Sequence, residues 1–397
     1  MRISLIKIFW IISISLTLLI SCSEDPSSIG IELLPEKDFI ETLTINSIEA
    51  AFEQQSRSYT DSLKLNSSNI LLFGKHDNVQ STMLLKFLVF LPDSIKQAVL
   101  DETLEVLSSQ IDLRIVYTYG DKNNSFDFSV NKINSSWNSL SFNKDSLASL
   151  DYENIDRSTN KVYSDTSITF DFDKELVRDW LNYSVAEEQA ENNNGIYFNY
   201  TSGSEKILGF PAISYPNEEL LGKLTIIVQV PDEFIDTIIV STTSDVHAVL
   251  GDLPSGNPEN IFIQGGIAVR SNILIDVSKI PDNTIINKAT LKLYYDESES
   301  LIGTKISDSL GVIGLSDFDQ NEINESLPPT LLKREENFYS GDITRFVQDW
   351  VSKQENGGLQ LFLANEITTV NKVSLKGSTA SDINMKPYLE IIYTIKD

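Results

Sequence analysis

Six landmarks occur twice along this chain in the same order, and a sequence organised that way is constrained to build one small fold twice. Each series opens on an Asn-Ile strand, Asn69-Ile70-Leu71-Leu72-Phe73-Gly74 and Asn260-Ile261-Phe262-Ile263-Gln264-Gly265. Next comes an apolar strand running to a proline, residues 83–91 before Pro92 and residues 273–280 before Pro281. A third strand follows, Ile111-Asp112-Leu113-Arg114-Ile115-Val116-Tyr117 and Ala289-Thr290-Leu291-Lys292-Leu293-Tyr294-Tyr295. A short helical stretch then carries a tryptophan, Leu176-Val177-Arg178-Asp179-Trp180-Leu181 and Phe346-Val347-Gln348-Asp349-Trp350-Val351. An Asn-Gly turn leads into another apolar strand, at Asn194-Gly195-Ile196 and Asn356-Gly357-Gly358. Both series close on a strand, residues 224–230 and 389–395.

The period inside these landmarks is that of β-structure. Ser167-Ile168-Thr169-Phe170-Asp171-Phe172-Asp173 alternates polar and apolar strictly, as a half-buried strand does. Phe126, Phe128 and Val130 alternate likewise, as do Leu359, Leu361 and Leu363. Short strands separated by Asn, Gly, Ser and Asp clusters argue for antiparallel sandwiches. The helical stretches are the exception. Ile343, Phe346, Val347, Trp350 and Val351 fall on one helix face. Asp342 can cap its start, and Gly357 lies beyond its end, where a left-handed stop is wanted. The expected fold class is all-β: two tandem antiparallel jelly-roll-like β-sandwiches, each with one short capping helix. Trp180 and Trp350 would point inward from those lids. The expected sandwiches span residues 45–232 and 236–397, each with its own core. The chain has 397 residues, 41% of them hydrophobic, which suffices for two such cores. They must do without disulfides, because there is one cysteine.

The order of strand and proline, Ala289-Thr290-Leu291-Lys292-Leu293-Tyr294, the Trp350 helix, Asn-Gly and Lys386-Pro387-Tyr388-Leu389-Glu390-Ile391 resembles the DNRLRE domain. That is a jelly-roll-like, carbohydrate-binding-module-like β-sandwich of secreted bacterial and archaeal proteins. Arg270 followed by Ile273-Leu274-Ile275-Asp276-Val277 resembles the family's arginine-then-strand signature. The second half is similar throughout and the first in degenerate form: Ser81 stands near the arginine's place, and Lys223 replaces the proline before the last strand. Because some relatives bind acidic polysaccharides, the resemblance implies a polysaccharide partner. It carries no set of functional residues that transfers by position.

Cys22 ends an apolar leader in the run Leu19-Ile20-Ser21-Cys22. Arg2 and Lys7, the apolar stretch 8–20 and the small residue before the cysteine make the pattern of a secretory signal, too short and too interrupted by serine for a membrane span. The run resembles a bacterial lipoprotein box. The expectation is a signal peptide over residues 1–21, lipidation at Cys22, a tether over 22–44, and attachment to the outer membrane or cell surface through the N-terminal lipid. Ser23-Glu24-Asp25 resembles the surface-export signal of Bacteroidota-type lipoproteins, and Ile29-Gly30-Ile31-Glu32-Leu33-Leu34-Pro35 resembles a Bacteroidota lipoprotein family of unknown function. The formal charge is −26, and the leader takes two positive charges with it. Such a surface repels nucleic acid, which is excluded as a partner.

No residues are assigned as catalytic. The two histidines, His76 and His247, fall at non-equivalent places in the two series and read as solvated loop residues. Asp317, Asp319 and Asn321 place oxygens at the first, third and fifth positions of a calcium-loop pattern. Glu322 and Pro328 break that pattern as an EF-hand, so a looser calcium site there, or at Asp171 and Asp173, competes with an ordinary acidic loop. Trp137 lies in the polar run Asn134-Ser135-Ser136-Trp137-Asn138-Ser139 and is the candidate sugar-stacking ring, against a structural role after a strand. The leading functional expectation is a non-catalytic, lipid-anchored protein that binds or adheres to an extracellular polysaccharide, with two weak sites on one tether adding avidity. The alternatives are a polysaccharide lyase or hydrolase and a structural subunit of an envelope complex.

Overall fold

The computed structural model describes residues 42–186, 193–306 and 308–396; the expected signal peptide, Cys22 and the tether up to residue 41 lie outside the described residues. The alternation read from sequence orders the strands. In Lys223–Val230 half-buried and buried residues alternate without exception, and Ser167–Phe172 does the same, so each strand turns one face to a core. All recorded pairings between strands are antiparallel.

The first sandwich packs two sheets. One holds, in order, β13 (Phe234–Ser241), β12 (Lys223–Val230), β5 (Glu105–Arg114), β9 (Ser167–Phe172) and β8 (Ser158–Tyr163). The other holds β6 (Tyr117–Tyr119), β11 (Ile207–Pro211), β3 (Ile70–His76), β4 (Val79–Lys86), β10 (Ile196–Tyr200) and β7 (Phe128–Lys132), with β14 (Ser244–Gly251) also paired to β4. The second sandwich repeats this order, except that β6 has no equivalent strand. One face holds β1 (Thr42–Asn46), β24 (Tyr388–Ile395), β17 (Thr284–Tyr294), β21 (Phe338–Asp342) and β20 (Thr330–Arg334). The other holds β18 (Ser309–Asp317), β22 (Leu359–Leu363), β16 (Val269–Ile275), β15 (Asn260–Gln264) and β23 (Lys372–Lys376), with β2 (Gln54–Thr60) also paired to β16. Here β20 pairs with β18 as well, joining the faces, and β19 (Glu322–Ile323) is a short flap on β18.

Four helices punctuate the described residues: α1 (Asp93–Leu100), α2 (Lys144–Ala148), α3 (Lys174–Val185) and α4 (Thr344–Lys353). None is long and apolar enough to cross a membrane. The lids are α3 and α4. Trp180 is 2% exposed and packs against Phe172 with ring centroids 5.5 Å apart, and Trp350 is 4% exposed. Asp173 starts α3 by accepting the N–H groups of Glu175 and Leu176, and Asp342 accepts that of Thr344 at 2.8 Å. The stop of α4 differs from expectation: Gln354 takes the left-handed conformation, with φ 55°. Gly357 is needed for a different reason, because a Cβ there would stand 2.2 Å from the Leu315 carbonyl oxygen. The strand expected to run to Pro92 ends at Lys86, and Pro92 instead opens α1, where its missing N–H costs nothing.

Hydrogen bonding crosses the 232–236 boundary expected from sequence. Beyond it, β13 and β14 still pair with β12 and β4 of the first sandwich, while β2, near the start of the described chain, pairs with β16 of the second. One apolar cluster draws on both halves: Ile70, Leu72, Val79, Tyr117 and Val249 pack with Phe262, Ile267, Val269 and Val370. Tyr117 donates its hydroxyl to Asn371 Oδ1 at 2.9 Å and accepts the Val370 N–H at 3.2 Å. Residues Thr44–Asp397 form one compact unit.

Neither histidine sits in a solvated loop. His76 ends β3, its Nδ1 donating to the Glu205 carbonyl at 2.7 Å. His247 is buried in β14, where burial pushes its pKa down to about 3 and keeps the ring neutral. Two residues earlier, burial pushes the Asp245 carboxyl up to about 6, although the Ile213 N–H donates to it at 2.6 Å.

Two predictions follow from this packing. Trp180→Ala and Trp350→Ala should each cost about 3–5 kcal/mol, as large-to-small core changes do. Because strands cross between the sandwiches and one apolar cluster joins them, denaturant unfolding should show one displaced transition for each variant; two independently moving transitions would refute that coupling. The second concerns pH. Asp245 takes up a proton in the folded state between its ordinary pKa of about 4 and its folded value of about 6. Its stabilisation is full below that window and is lost as pH rises through about 6. His247 acts oppositely: its contribution is present above about pH 6.5 and is lost as pH falls toward about 3. Asp245→Asn should raise stability at pH 7–8 by roughly 2 kcal/mol. It should also leave the acid-side loss from His247 unopposed, so stability falls more steeply from pH 6.5 to 4. Urea midpoints across pH 4–8 that match the unaltered protein would contradict this.

Candidate functional site

Trp137, Asp317, Asp319 and Asn321 each have partners within the fold, and Cys22 lies outside the described residues. Trp137 follows β7, and its indole N–H donates to the Asn194 carbonyl at 2.7 Å. Its ring meets Phe142 edge-on at 6.4 Å and covers a small core of Leu84, Ile133, Tyr197 and Val246. The ring is a cover plate over that core.

The loop carrying Asp317, Asp319 and Asn321 does hold a cation, and it is a side chain of this same protein. Arg57, on β2, sends Nη2 to the Asp319 carbonyl at 2.8 Å, to Asn321 Oδ1 at 2.9 Å and to the Phe318 carbonyl. Its guanidinium carbon lies 4.9 Å over the Phe318 ring, and the Asp319 carboxylate is 3.8 Å from Nη1. Asn272 also donates to Asn321 Oδ1, at 2.7 Å, and Asp317 accepts the N–H groups of Asp319 and Gln320, both at 2.8 Å. Among the described residues no group of three or more His, Cys, Asp or Glu is placed to hold a metal.

Equivalent corners of the two sandwiches each carry an open cleft beside the start of the lid helix, about 400 Å³ in the first and about 450 Å³ in the second. In the first, Arg157 donates to Asp173 at 2.6 Å and to Glu153 at 2.5 Å, while Asn160 donates to Asp171 at 2.7 Å. Burial pushes the Asp173 carboxyl up, but Arg157 and the two helix N–H groups outweigh it and hold the pKa below its ordinary value. In the second, hydrogen bonds from Thr344 hold Asp342 low, Arg345 donates to the Pro329 carbonyl at 2.7 Å, and Gln348 accepts the Ile286 N–H at 2.9 Å. Arg157 and Asp173 in the first corner, and Asp342, Arg345 and Gln348 in the second, are engaged in structural bonds around the helix start.

A third hollow, of about 170 Å³, has different chemistry. Tyr163 ends β8 with 43% of its surface exposed, its ring held edge-on against Phe126 and Phe128 at 6.3 Å each. Around it stand Lys122, Lys206, Ser164 and Asp165 of the first sandwich and Thr304 from the second half of the chain. Lys206 donates to the Lys122 carbonyl at 2.6 Å; burial lowers its pKa against the opposing pull of Asp165 and Asp121. Thr304 is fixed by a pair of bonds with Thr118, each 2.9 Å. Burial pushes the Tyr163 hydroxyl up to about 12, with Asp127 and Asp156 adding to it. At the end of β20, the equivalent strand, the chemistry differs: Arg334 stacks on Tyr295 at 4.3 Å. Sequence reading missed this site. The available signal was Val162-Tyr163, two adjacent exposed apolar residues that interrupt strand alternation just before a turn.

No family model matches this chain, and no curated protein matches it.

Proposed function

We propose that this chain is a non-catalytic, lipid-anchored protein of the outer membrane or cell surface that binds an extracellular polysaccharide, built from two DNRLRE-like jelly-roll sandwiches. The observation that carries the reading is the Tyr163 hollow. A rigidly held, exposed aromatic ring offers a face for the apolar side of a sugar ring. The lysine amines and the hydroxyls of Ser164 and Thr304 supply the convergent polar groups that fix orientation. Its volume of about 170 Å³ suits one sugar unit of a longer chain. Lys122 and Lys206 give the hollow two amines beside the Asp165 carboxylate, a mixed-charge wall able to bond sugar hydroxyls and a carboxylate.

Proton chemistry favours binding over turnover. A tyrosine held near 12 stays protonated at neutral pH and makes a poor lyase base. His247 is neutral but buried within β14, away from solvent. The Arg157 guanidinium with helix N–H groups holds the Asp173 carboxyl below its ordinary pKa, and the Thr344 side chain and N–H do so for Asp342, the opposite of what a glycosidase acid needs.

The test uses soluble protein spanning residues 23–397, run on gels bearing immobilised polysaccharides, uronic-acid polymers included. The expected result is retarded migration on at least one polymer, without shortening of that polymer. Tyr163→Ala should weaken retention about tenfold, equivalent to about 1.4 kcal/mol, measured at a temperature where circular dichroism shows the variant folded. New reducing ends or unsaturated products would overturn the reading in favour of an enzyme. Equal retention by Tyr163→Ala would remove the site, and co-purification of a stoichiometric protein with no glycan retention would favour a structural subunit.

A further inference from the structure

The repeat and the sheet order together reveal how the second sandwich is completed. In the first, β13 and β14 lie on β12 and β4; in the second, the equivalent places on β24 and β16 are taken by β1 and β2. The two completing segments differ in chemistry. β14 is buried from Asp245 to Val249. β2, with sequence Gln-Gln-Ser-Arg-Ser-Tyr-Thr, has no buried residue, and across residues 44–60 the one buried apolar side chain is Phe52.

Polar bonds hold this segment. All seven residues of β2 run in register with β16. Ser58 accepts the Phe262 N–H at 2.7 Å, and Gln54 donates to the Pro387 carbonyl at 3.0 Å. Ser47 donates its N–H to the Leu389 carbonyl at 2.8 Å and accepts the Leu389 N–H at 2.9 Å. Arg57 reaches the 317–321 loop as described above. This segment can leave its place carrying one buried apolar side chain, Phe52, into water, whereas β14 carries Val246, Ala248 and Val249. Residues 61–69 then lead from β2, on the second sandwich, into β3 of the first. Residues 252–259 lead from β14, on the first sandwich, into β15 of the second. Each link thus carries the chain from a completing strand on one sandwich into the body of the other.

We propose that residues 44–60 are an exchangeable closing segment, and that their place on β16 and β24 also accepts the same segment from a second copy of this chain. Copies would then join by strand exchange through residues 61–69. Such a joint repeats the 252–259 connection already made inside the molecule, and its ladder is the same whether the strand comes from its own chain or a neighbour. Link strain and protein concentration therefore decide which forms.

The test compares the soluble 23–397 protein with a variant lacking residues 62–66. The deletion shortens the reach of the link by about 17 Å, at ~3.4 Å per residue. Light scattering should show the variant as a dimer or larger at concentrations where the unaltered protein is monomeric, with at least a tenfold larger associated fraction. Hydrogen exchange should show β2 still protected, and adding Arg57→Ala should lower the associated fraction. A monomeric variant overturns the proposal whether its β2 is protected or not, since in neither state has a second copy supplied the strand. A body that unfolds on deletion shifts the decision to unaltered chains carrying two different tags. Refolded together at high concentration they should give mixed-tag complexes that survive dilution, and their absence overturns the proposal.

Discussion

A strand edge leaves a row of N–H and C=O groups that must find partners, and in this protein β4 and β16 meet that demand with strands from beyond the body of each repeat. Eight residues of β14 pair along β4, and seven of β2 along β16. The rest of the structure depends on these two ladders. They bring the two halves of the chain side by side, so that Tyr117 reaches Asn371 and Val249 packs among residues of both halves. They also bring Thr304 to Thr118, and without that contact the Tyr163 hollow would lack one wall.

Charge is managed in part in the same long-range manner. The chain is strongly acidic, and three arginines tie acidic or carbonyl-rich segments together, Arg57 and Arg270 across large sequence distances and Arg157 locally. Arg57 fills the 317–321 loop. Arg157 joins Glu153 and Asp173 beneath the first lid helix. Arg270 joins Asp61 at 2.8 Å and Glu366 at 2.9 Å, and also donates to Gln360. A planar guanidinium can satisfy several oxygens at once with fixed geometry, which suits this role better than a lysine does. The loop whose spacing resembles a calcium site is therefore coupled to the closing strand, because its cation is delivered by β2.

The repeat is symmetric in its strand order, β6 aside, and asymmetric in its chemistry. Both lid helices begin with a carboxylate accepting helix N–H groups, and both corners beside them are tied up in structural bonds. The asymmetry lies at the ends of β8 and β20, where one sandwich presents the Tyr163 ring and the other stacks Arg334 on Tyr295. It appears again in the completing strands, apolar in β14 and polar in β2. The first copy also carries α1, α2 and β6, which the second lacks among the described residues, while the two lid helices are common to both.

The sequence by itself determined the antiparallel sandwich, its twofold repetition and the two tryptophan lids. Those features are written in short-range periodicity: alternation places Phe170 and Leu224 inward, and helical spacing places Trp180 and Trp350 inward, whatever lies opposite. It also marked Asp342 as a starter of α4, where its carboxylate accepts the Thr344 N–H; the same role of Asp173 at α3 came from the structure. Only the tertiary structure decided which strand completes which sandwich, because ladder bonds are made by backbone groups that every residue carries. The same holds for His247, read as a loop residue and found buried in β14, and for Trp137, whose partner carbonyl lies 57 residues away. It holds most plainly for the acidic loop at 317–321, whose spacing describes oxygens but cannot say that a guanidinium 262 residues earlier is the cation they receive.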